Sequence, residues 1–108
     1  MDQIKSSALI VVDDKILSQF DLYDRFSSVL NFPNYFGKNW NAFFDVMCDL
    51  SWLDVDQILI DVQSLPSFSR DEQLVFLSIL NDIEEHWKKF DDKIVEIKTA
   101  TNLLNIKD

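Results

Sequence analysis

The strongest constraint on this chain is an alternation. Three short apolar runs, Ala8-Leu9-Ile10-Val11-Val12, Ile58-Leu59-Ile60-Asp61-Val62 and Ile94-Val95-Glu96-Ile97, are separated by segments whose apolar residues recur at helical spacing. Short apolar or alternating runs suit strands, and 3.6-residue periodicity suits helices packed on one face. The first run is unbroken, the pattern of a strand buried on both faces. Ser18, followed three residues later by Asp21, predicts a capped helix carrying Leu22, Tyr23, Phe26, Val29 and Leu30 inward and ending near Asn31. Ser69 with Glu72 predicts another, with Phe76, Ile79, Leu80, Ile83, Trp87 and Phe90 as its stripe and Lys88 and Lys89 at its C-terminal end. Strands separated by helices imply parallel pairing with right-handed crossovers. The expectation is a single α/β domain over residues 1–108, a three-stranded parallel sheet packed with about three helices. The segment after Ile97 receives no assignment.

Between the first helix and the second strand lies the stretch from Phe32 to Asp45, which holds the one glycine and one of the two prolines. Pro33 followed by Asn34, Tyr35, Phe36 and Gly37 predicts an ordered loop, with glycine taking a backbone angle closed to other residues. Asn39 then reads as an N-cap, and Trp40, Phe43, Phe44, Met47 and Leu50 form the buried stripe of the helix that follows. On its other edge Asn41, Asp45 and Asp49 align at four-residue intervals, bordered by Phe44 and Cys48. An aromatic loop thus runs into a helix edge bearing carboxylates.

The chain has 19 acidic and 10 basic residues, a formal net charge of -9. Contact with RNA, DNA or an anionic membrane needs basic surface, so the charge argues against such partners and for a basic one. With 47% hydrophobic residues, a substantial core is expected. A single cysteine, Cys48, forms no internal disulfide and reads as a half-buried small residue. His86 has no second His or Cys at ligand spacing, so neither a metal nor another cofactor is expected. No basic leader with a long apolar segment precedes the first strand and no run has the length of a membrane span, which gives a cytoplasmic reading.

The motif Pro33-x-Tyr35-Phe36-Gly37-x-Asn39-x-x-Ala42-x-x-Asp45, preceded by Ile10-Val11-Val12-Asp13-Asp14-Lys15 and the helix beyond it, resembles the barstar family of ribonuclease inhibitors. The resemblance is closest over residues 8–62; the third helix and the tail match only in element order. It implies a bacterial protein without catalytic activity, monomeric when free, that binds a basic ribonuclease or toxin nuclease one to one and blocks its active site inside the producing cell. It also implies that Asp45 occupies the place of a substrate phosphate. By the same likeness Tyr35 supplies aromatic contact, Gly37 a close backbone approach, Asn39 the helix cap and Phe44 an aromatic beside the key aspartate, with Phe36, Lys38 and Asn41 completing the surface. Two positions depart from the family pattern. Lys38 stands where an acid is common, and Asn41 replaces another carboxylate. A further acid of the family, near the end of the third helix, has Asp82 and Glu85 as local candidates.

Two other readings fit parts of the sequence. Asp13, Asp14 and Asp61 at strand ends, with Lys98, could form a Mg²⁺-dependent carboxylate cluster or phosphoacceptor, although three strands and one glycine fit that poorly. Alternatively, the acidity could serve a decoy for some other basic nucleic-acid-handling protein.

Overall fold

A computed structural model describes residues 6–90 and 92–99. In chain order the elements are β1 (Ser7–Val12), α1 (Gln19–Leu30), α2 (Trp40–Met47), β2 (Gln57–Val62), α3 (Arg70–Lys89) and β3 (Ile94–Thr99). The sheet is parallel with β2 in the centre, and Ile10, Ile60 and Ile97 stand in register across it. The expected three-stranded α/β architecture is therefore what the chain adopts. Residues 100–108, left unassigned from sequence, lie outside the described residues.

The core forms on one side only. Ile10, Val12, Ile58, Ile60, Val62 and Val95 are buried beneath Leu22, Phe26 and Leu30 of α1, Phe43, Val46 and Met47 of α2, and Phe76, Leu80, Ile83 and Trp87 of α3. The alternate residues do not share that burial: Leu9 is 53% exposed, and Val11 and Leu59 are half-buried. This corrects the expectation that the first strand is covered on both faces. Parallel strands laid down in chain order, each crossover of the same hand, carry every helix to the same face. An unbroken apolar run cannot report that, because it looks the same whether one face is covered or two.

Helix ends are closed by specific donors and acceptors. Ser18 accepts from the Asp21 N–H at 3.2 Å, and the Asp21 carboxylate accepts from the Leu17 N–H at 3.1 Å, one residue before the nitrogen that a capping box uses. Ser69 accepts from the Glu72 N–H at 3.2 Å. At the other ends two indoles serve. Trp52 Nε1 donates to the Leu30 carbonyl at 2.9 Å and Trp87 Nε1 to the Met47 carbonyl at 2.8 Å, satisfying the last acceptors of α1 and α2. The open sheet edges are also occupied: the Arg25 guanidinium donates to the Val11 carbonyl on β1, and Glu84 accepts from the Ile97 N–H on β3. Charged side chains there block the pairing positions that another strand would use.

Candidate functional site

The loop before α2 is anchored from within. Phe32 is buried, and the Phe36 N–H donates to the Pro33 carbonyl at 3.0 Å, closing a turn. The half-buried Phe36 ring sits edge-on to Tyr23 and Phe32, with centroids 5.2 and 5.0 Å away. Such aromatic pairs add to the energy of burial. Between these fixed points the chain turns Tyr35 outward, 75% exposed. Of the two adjacent aromatics, Phe36 is thus the anchor and Tyr35 the exposed ring.

The unusual backbone angle falls on Lys38, with φ 56°, and Gly37 has no positive φ. A Cβ built on Gly37 would lie 3.5 Å from Ala42 Cβ and 3.6 Å from Asn39 Nδ2, ordinary contact distances. The expectation that glycine was needed for the loop's backbone is therefore corrected. Its neighbour bears the left-handed conformation, and nothing inside the free protein crowds a side chain at position 37.

Asn39 is the N-cap, its Oδ1 accepting from the Ala42 N–H at 2.8 Å. The cap fixes the direction of α2 relative to the loop. Behind it Trp40 is half-buried among Tyr23, Phe43, Phe68 and Phe76, at centroid distances of 5.8 to 6.2 Å. With α2 seated, Asn41 and Asp45 are both exposed on it, one turn apart, and Phe44 is half-buried beside them. The helix stops at Met47. Cys48 is its C-cap, the N–H groups of Asp49 and Leu50 both reach the Val46 carbonyl, and Leu50 turns inward fully buried at φ 49°. Asp49 consequently lies past the helix, so the expected three-residue polar stripe ends after Asp45.

Cys48 reports which acid of α3 lies nearby. Its thiol is pushed up to about 11, first by burial and then by the negative charges of Asp45 and Asp82. Asp45 and Asp82 thus both act on Cys48, while Glu85 pairs with Lys88 at 3.4 Å. Both aspartates are exposed. Sequence spacing left the two α3 acids equivalent; of the two, Asp82 is the one whose charge acts on Cys48 at the end of α2. The surface that results is an exposed aromatic loop, a lone lysine and two carboxylates carried on packed helices. A hollow of about 430 Å³ adjoins it between the C-terminal ends of α2 and α3, lined by Cys48, Asp49, His86, Trp87 and Phe90 among others.

The strand-end acids have separate partners. Asp13 accepts from the Lys15 N–H at 3.1 Å and lies 4.0 Å from the Arg25 guanidinium, while Asp61 accepts from Gln63 Nε2 at 3.3 Å. Among the described residues no three His, Cys, Asp or Glu side chains converge as a metal-binding group.

An exposed loop braced by aromatic rings and running into a capped helix defines a surface suited to protein recognition. A family model described as barstar, barnase inhibitor, matches residues 8–99, and the chain belongs to the barstar family. That is a family of inhibitors whose partner is a ribonuclease. No curated protein gave a match. No helix among the described residues is long and apolar enough to cross a membrane.

Proposed function

We propose that this chain is an immunity protein, binding one molecule of a bacterial ribonuclease toxin in the cytoplasm of the producing cell and closing its active site. The observation that carries the reading is Asp45: an exposed carboxylate on a short helix that Asn39 caps and the Trp40 cluster seats, directly following a loop that exposes the ring of Tyr35. A ribonuclease must hold RNA phosphate with cationic groups, and a rigidly presented carboxylate offers those groups an anionic acceptor. Tyr35 covers the contact, Gly37 allows close approach of the partner, Lys38, Asn39 and Asn41 line it, and Phe44 supports Asp45, with Phe36 holding the loop from behind. Asp82 adds a second carboxylate from α3. The net charge of -9 favours rapid encounter with a basic cleft.

The test is isothermal titration of wild type and Asp45→Ala against the ribonuclease or toxin domain encoded nearest to this chain. Tight one-to-one binding is expected. Removal of one member of a buried charged set costs roughly 3–5 kcal/mol, because its cationic partners are left unpaired, and Asp45→Ala should fall in that range. Equal affinity of the two proteins would remove Asp45 from the centre of the interface. Absence of wild-type binding would reject the inhibitor reading.

A further inference from the structure

Lys38 is the one basic residue between Arg25 and Arg70, a stretch that holds five aspartates. It is exposed, and no hydrogen bond or ion pair among the described residues engages its ammonium group. Asp24 lines the same hollow of about 290 Å³ without pairing with it. Its backbone is held on both sides: the Pro33–Phe36 turn precedes it and the Asn39 cap follows, so φ 56° is imposed by neighbours already committed to the core and to α2. A lysine in left-handed backbone is unfavourable, since its Cβ crowds the following carbonyl. Here a cation is set at a defined place in a stretch whose other charged residues are all acidic, with no partner among the described residues to neutralise it.

We propose that Lys38 determines which ribonuclease this protein accepts, by selecting a partner that presents carboxylate or carbonyl oxygens, and not a basic group, opposite position 38. The inference rests on the inhibitor reading above and adds the chemistry of one subsite to it. A fixed charge discriminates in both directions. It gains from an acceptor across the interface, and it repels a cation held at the same place. Asp45 engages the feature that ribonucleases share, a cationic phosphate site. Lys38 addresses the rim, where partners are free to differ.

The experiment titrates wild type, Lys38→Gln, Lys38→Glu and Asp45→Ala against two probes, the ribonuclease domain encoded nearest to this chain and barnase. Gln and Glu are unbranched at Cβ like Lys, so the three side chains meet a similar backbone cost, and matching melting curves verify that. Against the neighbouring ribonuclease the expected order of affinity is Lys, Gln, Glu, with the Glu variant weaker by about tenfold or more and the gap narrowing as salt is added. Three variants within about twofold of one another on the neighbouring ribonuclease would overturn the assignment. If Asp45→Ala weakens binding while the Lys38 series is flat, the selectivity role falls and the inhibitor reading stands. If folded wild type binds neither enzyme, the inhibitor reading falls and this inference falls with it.

Discussion

The indole N–H of Trp87 on α3 donates to the Met47 carbonyl at the end of α2, 2.8 Å away. The bond joins the two helices that carry Asp45 and Asp82, and it satisfies a carbonyl that α2, only eight residues long, cannot satisfy itself. Trp87 is 5% exposed, so water cannot replace the donor. Trp87→Phe keeps most of the apolar volume and removes the N–H. Leaving a buried acceptor unpaired costs about 1–3 kcal/mol, which urea unfolding would read as a lower midpoint at unchanged slope. Trp52→Phe, at the half-buried end of α1, should cost less. Equal losses from the two would separate the effect from burial.

The positive φ at Lys38, beside an unstrained Gly37, leads to an unusual pair of outcomes. Gly37→Ala should change stability by less than about 0.5 kcal/mol, because the added methyl meets only ordinary contacts. Lys38→Val should cost roughly 1–3 kcal/mol, a β-branched side chain being poorly tolerated in left-handed backbone. Chemical unfolding of the two variants checks the assignment, and a Gly37→Ala loss larger than that of Lys38→Val would contradict it.

Cys48 offers a direct probe of the acidic surface. Thiolate is the species that alkylates, and the thiol is held up to about 11 by burial, Asp45 and Asp82. The pH profile of iodoacetamide modification should therefore move to lower pH in Asp45→Asn and in Asp82→Asn. Glu85→Gln should leave it in place. A shift in Glu85→Gln as large as in Asp82→Asn would mean that α3 presents a different acid to α2.

Stability should decline at alkaline pH in two overlapping steps. Tyr23 is pushed from 10.0 up to about 12 by burial and then by Glu72, while its hydroxyl donates to Gln19 Oε1 at 2.7 Å. Tyr23 and Cys48 are both neutral when protonated, and the fold raises both pKa values. The folded chain therefore holds more protons than the unfolded one, and stability falls as pH rises. The stabilisation is complete below the unfolded values of 9.0 for Cys48 and 10.0 for Tyr23, and it is lost as pH passes about 11 and about 12. Unfolding midpoints measured across this range should show the decline. Cys48→Ala should delay its onset toward 10.0, leaving the tyrosine step.

Much of the fold was legible because its determinants are local. Ser18, Asn39 and Ser69 each cap the helix that their spacing predicts, since a cap needs only a side-chain oxygen and a backbone N–H three residues on. The three apolar runs are strands in the expected order and parallel sense, because helices between strands leave little other topology. The candidate site was less legible. Its loop and α2 residues come from one contiguous motif, yet that Phe36 turns inward as the loop's anchor depends on Tyr23, which lies in another helix.

The sequence by itself determined the element order, the helix starts and the family, because periodicity, caps and a contiguous motif are properties of neighbouring residues. Tertiary structure decided what depends on distant ones. One-sided crossovers left Leu9 exposed, and the Phe36 anchor and the Asn39 cap together put the left-handed angle on Lys38 and spared Gly37. The inward turn of Leu50 carried Asp49 off the helix, and the packing of α2 against α3 brought the charge of Asp82 to bear on Cys48. Each of these outcomes follows from burying apolar side chains that lie far apart in the chain, which no local pattern records.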